Sequence, residues 1–129
     1  MRAQVVVVDD DEENCHALCE LLAAEGFGTV PFLDGEAAWS AIRRRHVLPD
    51  AVVADVRMPG LDGIGLLARL KAHDAETPVI LVSAFPDASL WAKARGLGAS
   101  DIFPKPIHGA TLAKALRASI ARRRARSTR

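Results

Sequence analysis

The chain has 129 residues, of which half are hydrophobic and about a quarter are charged. This length and balance are typical of one globular domain with its own core, and they exclude a small peptide that needs disulfide staples. The net charge of +1 is unevenly distributed: the last nine residues carry five arginines and no acid, which leaves twelve basic and sixteen acidic side chains before them.

The first unit of the chain is an apolar run followed by an amphipathic segment. Residues 5–8 are four consecutive valines, as expected of a short strand buried on both faces. Cys15, Leu18, Cys19 and Leu22 then recur with the spacing of one helix face, and Gly26 ends the helix. Residues 27–32 form a weaker strand candidate, and the proline at position 31 favours an edge strand.

The second and third units repeat this alternation. Asp34 is a plausible N-cap for a helix with Ala38, Trp39 and Ile42 on its inner face. Residues 51–54 are a second buried strand. Residues 59–63 have turn chemistry, and a helix that buries leucines follows them; these inward leucines are either Leu67 with Leu70 or Leu66 with Leu70, and Ile64 accompanies the first set.

Two more units complete the chain. Residues 79–82 are an apolar strand, and a helix around Trp91 ends near the glycines at 96 and 98. Ile102 and Phe103 form a short strand, and Leu112, Leu116 and Ile120 mark the last helix. Five strand–helix units predict an α/β sandwich whose parallel sheet is covered by helices on both faces.

The remaining features point to a soluble, cytoplasmic protein. Residues 5–8 are too short for the apolar region of a signal peptide, and no stretch approaches the length of a membrane span. The two cysteines lie four residues apart on one helix face, where we expect small buried side chains and no disulfide. We assign residues 1–121 to the domain and residues 122–129 to a basic tail or the start of a linker.

Polar side chains follow four of the five predicted strands. Asp9, Asp10 and Asp11 follow the first strand, Asp55 ends the third, Ser83 ends the fourth, and Lys105 comes just after the fifth. Because the carboxyl ends of parallel strands meet at one edge of the sheet, these groups should converge there. Clustered carboxylates suit a hard cation such as Mg²⁺, while a lysine and a hydroxyl can stabilise a transferring phosphoryl group. The cluster predicts phosphoryl transfer onto an aspartate.

Each of these residues also has a purely structural explanation. Any acid of the first cluster can be only a helix N-cap, and Asp55 can be a turn residue before Pro59. Ser83 can begin a turn, and Lys105 can be a surface residue. Their joint occurrence at four strand ends of one sheet favours the functional interpretation.

The same residues carry a resemblance to a known family. The segment from Val5 to Asp10, the segment from Asp55 to Gly63, the Ser83–Ala84 pair and the Lys105–Pro106 pair resemble the receiver domain of bacterial response regulators. The resemblance covers nearly the whole chain, and the set of motifs is highly specific although each motif alone is weak.

The resemblance implies a flavodoxin-like five-stranded sheet in the order 2-1-3-4-5. It implies that Asp55 accepts a phosphoryl group from a phosphohistidine. It further implies that Mg²⁺ is bound by Asp10, by Asp55 and by the backbone carbonyl of Arg57, with Asp9 acting through a water. Ser83 would donate a hydrogen bond to the phosphoryl group and Lys105 would pair with it. The Lys105–Pro106 bond is expected to be cis. Asp11 falls outside the family's acidic pair and is expected only to start a helix.

One position departs from the family pattern. The family has a surface aromatic residue three positions before the lysine, and this aromatic couples the hydroxyl to the output surface. Here that position is Ile102, and Phe103, one place later on the strand, should face the opposite side of the sheet. We therefore expect the surface of the fourth helix, fifth strand and fifth helix to move on phosphorylation without an aromatic switch. Trp91, near that surface, is more readily explained by packing than by a partner contact.

The resemblance implies a signalling switch and no enzyme beyond its own phosphorylation and dephosphorylation. Its expected partners are a sensor histidine kinase or phosphotransfer protein and a downstream effector, and phosphorylation-dependent homodimerisation stays open. An alternative is the regulatory fragment of a transcription factor whose DNA-binding domain is absent from this chain. No nucleic-acid module is found in the sequence, so direct DNA binding is not expected.

Three other functions fit less well. A phosphatase of the haloacid dehalogenase type needs a second acid two residues after its nucleophile, where this chain has Arg57. An FMN binder would place a phosphate against clustered acids with no metal between them. A receiver that cannot be phosphorylated would not be expected to keep the complete set of matched residues.

Overall fold

The computed structural model describes residues 2–127, which form five strands and five helices in strict alternation. The strands are β1 (Gln4–Val8), β2 (Gly28–Phe32), β3 (Ala51–Asp55), β4 (Val79–Ser83) and β5 (Asp101–Pro104). The helices are α1 (Glu12–Ala24), α2 (Gly35–Arg43), α3 (Gly63–His73), α4 (Ala88–Gly96) and α5 (Gly109–Ser127). The alternation expected from the hydrophobic pattern is confirmed.

The five strands form one parallel sheet in the order β2-β1-β3-β4-β5. The predicted sheet order is therefore confirmed. β2 is an edge strand, as its proline indicated, since Pro31 cannot donate a ladder hydrogen bond. In residues 2–127 no helix has both the length and the apolar character needed to cross a bilayer.

The sheet divides the core into two layers. Alternate strand residues such as Val5 and Val7 face α1 and α5, and Val6 and Val8 face the layer that contains α2, α3 and α4. All four valines are at most 1% exposed. A central strand covered on both faces has no polar side, which explains why β1 is wholly apolar and shows no alternation.

Aspartates begin four of the helices. The side chains of Asp11 and Asp34 accept hydrogen bonds from backbone amides in the first turns of α1 and α2, so both predicted helix-start roles are confirmed. Asp62 and Asp87 cap α3 and α4 in the same way. These caps fix where each helix starts after its strand, and therefore fix the loops that carry the polar residues.

The two cysteines lie on the inner side of α1, and both are free. Cys15 is buried, and its Sγ contacts the carbonyl oxygens of Val7 and Phe32 at 3.7 and 3.8 Å. Burial raises the pKa of the Cys15 thiol to about 11. Cys19 is half-buried. This agrees with the expected structural role for Cys15.

Both tryptophans are half-buried and pack against the α2–α4 layer. Trp39 meets the ring of His73 edge-on at a centroid distance of 5.6 Å. Trp91 packs below the guanidinium of Arg95, which lies 4.9 Å from the ring centroid. Packing contacts thus account for both rings, as expected.

Helix α5 continues through the position at which a tail was expected to begin. It extends to Ser127, and Arg123 binds both the carboxylate of Asp74 at 2.9 Å and the hydroxyl of the buried Thr77 at 3.3 Å. Arg126 pairs with Glu76 at 2.9 Å. Residues 122–127 are therefore helical and held to the α3–β4 loop, while 128–129 lie outside the described residues. The division at residue 121 stays a prediction.

We expect Asp74→Asn to lower the free energy of unfolding by about 0.5–1 kcal/mol at neutral pH, since the ion pair is partly exposed. Burial raises the pKa of Asp74, but the Glu76 amide and the charge of Arg123 outweigh it, so the pKa lies below its ordinary value of 3.8. The contribution is therefore present above that value and lost as the pH falls through the native pKa.

Urea unfolding at neutral pH and in acid measures this difference. Glu36→Gln is the matched control, because it removes a carboxylate from the exposed Arg69 pair, far from α5. A loss of the same size in acid and at neutral pH would contradict the electrostatic explanation.

Candidate functional site

The predicted site residues all lie at the carboxyl edge of the sheet. Asp9 directly follows β1, Asp55 is the last residue of β3, Ser83 is the last residue of β4, and Lys105 directly follows β5. Parallel strands bring their carboxyl ends to one edge, so residues far apart in the chain become neighbours.

Three carboxylates meet at this edge. Asp9, Asp10 and Asp55 each offer one oxygen, and these three oxygens lie within 4.8 Å of one another. Asp9 is 4% and Asp55 is 9% exposed, whereas Asp10 faces solvent. A set of carboxylate oxygens with one open side is the donor chemistry of a hard divalent cation that retains water ligands, so the residues fit Mg²⁺.

Backbone amides orient two of these carboxylates. Asp9 accepts a hydrogen bond from the amide of Asp11 at 2.9 Å, and Asp55 accepts one from the amide of Arg57 at 3.1 Å. In both aspartates the amide binds Oδ1, while Oδ2 is the oxygen that lies near Nζ of Lys105. The side chain of Arg57 is exposed. The assignment of its carbonyl as a metal ligand stays a prediction.

Lys105 supplies the positive charge of the site. Its Nζ lies 2.7 Å from Oδ2 of Asp55 and 3.6 Å from Oδ2 of Asp9. Burial alone would lower the pKa of Lys105, but the hydrogen bond to Asp55 and the charge of Asp9 raise it above its ordinary value. The peptide bond between Lys105 and Pro106 is cis, as expected.

The surroundings of Asp9 disfavour the ionised form of its carboxylate. Burial raises the pKa of Asp9, and the charges of Asp55 and Asp10 act in the same direction. The Asp11 amide and Lys105 oppose this increase but do not cancel it. The cluster brings three carboxylates together with one lysine, and a cation bound there would favour the ionised form of Asp9.

Ser83 is only 3% exposed, and its Oγ accepts a hydrogen bond from the amide of Phe85 at 3.3 Å. Its carbonyl accepts from the amide of Lys105 at 2.9 Å, which ties the ends of β4 and β5 together. Phe85 itself is 82% exposed beside the site. No sequence pattern indicated this exposure, since an isolated phenylalanine after a strand is normally packed.

The position expected for the switch aromatic is occupied by a packed residue. Ile102 is 4% exposed and belongs to the α2–α4 layer, whereas Phe103 is half-buried and contacts the α1–α5 layer. The two side chains therefore face opposite sides of the sheet, as predicted. Phe103 does not provide an aromatic ring on the side of Ile102.

The fold and the site together define a class of protein: a flavodoxin-like sandwich with an acidic, lysine-paired site at the carboxyl edge of its sheet. Residues 5–117 match the sequence model of the response regulator receiver domain. The chain belongs to this family of two-component signalling domains, and this membership removes the phosphatase and FMN-binding alternatives. Receiver domains generally bind Mg²⁺ at an acidic cluster like the one described above.

Similar proteins support this membership. The chain is 36% identical over 119 residues to the transcriptional regulatory protein FixJ of Bradyrhizobium diazoefficiens, covering 92% of this chain and 57% of FixJ. It is 36% identical over 105 residues to the DNA-binding transcriptional regulator NtrC of Salmonella typhimurium, covering 81% of this chain and 22% of NtrC. The chain thus spans about half or less of these curated relatives.

Solved structures agree on the fold. The receiver domain of the Francisella response regulator 1452 superimposes with a TM-score of 0.85 at 29% identity, covering 94% of this chain and 98% of that one. A CheY-like receiver domain protein of Methanospirillum hungatei gives a TM-score of 0.89 at 16% identity, covering 98% and 99% of the two chains. The second likeness shows the fold alone.

Proposed function

We propose that Asp55 is the phosphoryl acceptor of this receiver domain and that a sensor histidine kinase or phosphotransfer protein is the donor. The observation that carries the proposal is the 2.7 Å contact between Lys105 and Asp55 inside a cluster of three carboxylates. A structural ion pair would need one acid. Three clustered acids, two of them paired with one lysine, are expected where a cation and a phosphate are to be held together.

The chain's own residues would act as follows. An oxygen of Asp55 attacks the phosphorus of the phosphohistidine; the new P–O bond forms, the P–N bond breaks, and the departing imidazole retains the bond's electron pair. Lys105 exchanges its contact with Asp55 for a phosphoryl oxygen, and the Ser83 hydroxyl donates to another. Asp10, Asp55 and the carbonyl of Arg57 would hold Mg²⁺, with Asp9 acting through water, and the bound ion would neutralise charge on the transferring group.

The phosphodonor is expected to approach through a groove beside Asp55. This groove of about 480 Å³ lies between one flank of α1 and the β5–α5 loop, and its lining includes Asn14, Leu21 and Lys105. Leu21 is 40% exposed there. A partly apolar opening next to the acceptor suits a protein donor that must exclude water from the reacting phosphoryl group.

Acetyl phosphate tests the proposed chemistry without a kinase. Incubation with Mg²⁺ is expected to raise the intact mass by one phosphoryl group, and EDTA is expected to prevent this gain. Hydroxylamine should remove the group, because an acyl phosphate is cleaved by it and a phosphoserine is not. The absence of an adduct despite measurable Mg²⁺ binding would overturn the proposal.

Removing the lysine should change metal affinity and stability in opposite directions. We expect Lys105→Met to tighten Mg²⁺ binding about tenfold, since a positive charge next to the carboxylates is lost. In EDTA the same variant should lose about 1–3 kcal/mol of unfolding free energy, because Asp55 and Asp9 lose their cation. Titration calorimetry and urea unfolding measure the two quantities.

Lys114→Met is the matched control for this prediction, because Lys114 is an exposed residue of α5. Lys114→Met should change neither the Mg²⁺ affinity nor the unfolding free energy in EDTA by more than a small amount. Weaker Mg²⁺ binding in Lys105→Met would show that the lysine is not opposing the cation.

The output is proposed to be a change in protein contacts on the surface of α4, β5 and α5, without an aromatic hinge. A second candidate is that this chain is the regulatory part of a DNA-binding transcription factor. It is favoured by the names of FixJ and NtrC together with the small share of each that the chain spans. The reading frame around the coding sequence decides between a stand-alone receiver and such a fragment.

A further inference from the structure

The flank of α1 that faces away from the phosphorylation site borders a second, larger trough. This trough of about 1030 Å³ runs between α1 and the edge strand β2. Asn14, Ala17 and Leu21 of α1 line the groove beside Asp55, while the trough is lined by residues such as Glu12, Cys19 and Ala23. At 100° per residue these two sets lie on opposite flanks of the helix, so the trough is a separate surface.

The floor of the trough is apolar and accessible. It includes Cys19 and Ala23 from α1 and Pro31 and Leu33 from β2 and its end. Leu33 is 45% exposed, and Pro31 is also exposed. Neighbouring leucine and proline side chains open to water along a sheet edge provide the apolar contact area that a docking partner can cover.

The rim of the trough is acidic, and the acidity extends well beyond it. Glu12, Glu13 and Glu20 line it, all of them exposed, and the exposed His16 lies among them with its Nε2 3.0 Å from Oε1 of Glu20. Residues 3–42 contain nine aspartates and glutamates and neither lysine nor arginine. Of the nine acids in this acidic third of the chain, Glu12, Glu13 and Glu20 line the trough. The helix dipole explains acids in the first turn of α1, such as Glu12 and Glu13, but it does not explain Glu20, which lies two turns further along the same flank.

The edge strand β2 favours a helical over an extended conformation for a partner segment bound in the trough. Pro31 is the fourth of the five residues of β2 and has no amide hydrogen, so an added strand would lack a ladder bond at that position. A helix, in contrast, docks through side chains and needs no backbone bond from the edge. Nucleic acid is excluded as an occupant because its phosphates would meet the glutamates.

We propose that this trough binds a basic amphipathic helix of a partner protein, with the apolar side of that helix on Leu33 and Pro31 and its lysines or arginines at the glutamate rim. The surface is distinct from the phosphorylation site, so binding requires neither phosphate nor Mg²⁺. The receiver would then hold two partners at once, one on each flank of α1.

A synthetic helical peptide of leucine and lysine, labelled with fluorescein, serves as the probe for the full chain. Fluorescence anisotropy in EDTA is expected to show binding that weakens with salt. The same peptide with glutamate in place of lysine should not bind. Because the assay contains no phosphodonor, its failure would leave the phosphorylation chemistry untouched, and failure of the acetyl phosphate reaction would not affect it.

Two matched pairs of variants locate the site. Glu13→Gln is expected to weaken peptide binding roughly two- to fivefold, whereas Glu36→Gln, which removes one charge from the same acidic third but lies on α2, should have little effect. Leu33→Ala should weaken binding roughly five- to tenfold, whereas Leu48→Ala, at a residue that is 61% exposed elsewhere, should not.

Alkylation of Cys19 gives an independent footprint. Cys19 is half-buried in the trough, whereas Cys15 is buried and its pKa is raised to about 11, so labelling reports on Cys19. The leucine–lysine peptide is expected to slow this labelling. Unchanged labelling at saturating peptide, or equal weakening by Glu13→Gln and Glu36→Gln, would show general electrostatic attraction and overturn the proposal.

Discussion

Asp55→Asn is expected to abolish the acetyl phosphate adduct completely. Asparagine has nearly the shape of aspartate, but its amide has no carboxylate oxygen to attack phosphorus. The substitution also removes one of three carboxylates from the cation cluster and the charge partner of Lys105 at 2.7 Å. Acceptor chemistry and metal binding are thus lost together, while the fold is retained. Intact mass measures the loss of the adduct, titration calorimetry measures the loss of Mg²⁺ binding, and far-ultraviolet circular dichroism measures retention of the fold.

Asp11→Asn is the matched control for this prediction. Asp11 belongs to the same acidic run but caps α1 by accepting from the amide of Asn14 at 3.0 Å. Asparagine caps helices about as well as aspartate does, so stability should be preserved. This variant is expected to gain the phosphoryl group like the parent protein. An adduct that persists in Asp55→Asn would show that another side chain is the acceptor.

Gly63→Ala is expected to lower the unfolding free energy by about 3 kcal/mol, more than Asp74→Asn does. A Cβ at this position would overlap the backbone oxygen of Asp55 and would lie 2.8 Å from Cα of Val56. Both contacts are with backbone, so no flexible side chain can move aside. The first turn of α3 must shift, and Asp55 with it, so the rate of phosphorylation by acetyl phosphate should fall as well.

The control for this substitution is Gly96→Ala. Gly96 is the last residue of α4, and a Cβ there would meet nothing within 4 Å. Alanine favours the helix over glycine, so this variant should be neutral or more stable by about 0.5 kcal/mol. Urea unfolding of both variants tests the contrast. Equal stability of Gly63→Ala and the parent would mean that α3 can move away from β3 freely.

The absence of an aromatic residue at position 102 changes how phosphorylation can be transmitted. Ile102 is packed in the α2–α4 layer and has no polar atom to follow a moving hydroxyl. Ser83 instead contacts the amide of Phe85 in the loop that leads to α4. We therefore expect the proposed output surface to respond through displacement of this loop and of the packed α4 surface.

Much of the architecture was determined by the sequence alone. The four valines of β1, the apolar runs of β3 and β4 and the helical spacing of leucines predicted five alternating units, because buried parallel strands and amphipathic helices leave different periodicities. The edge position of β2 followed from Pro31. The convergence of Asp9, Asp55, Ser83 and Lys105 followed from the rule that carboxyl ends of parallel strands share an edge.

Other features were decided only by the tertiary structure. Helix α5 continues to Ser127, and Arg123 on this last part contacts Asp74 and Thr77, which lie almost fifty residues away in the chain. The exposure of Phe85, the burial of Ile102 and the trough beside β2 were likewise decided by the tertiary structure and not by the local sequence. Local sequence sets periodicity and capping, but burial and charge pairing depend on which distant residues the fold brings together. The sequence predicted that acids gather at the sheet edge. Only the folded structure shows that oxygens of Asp9 and Asp55 lie 3.6 and 2.7 Å from Nζ of Lys105.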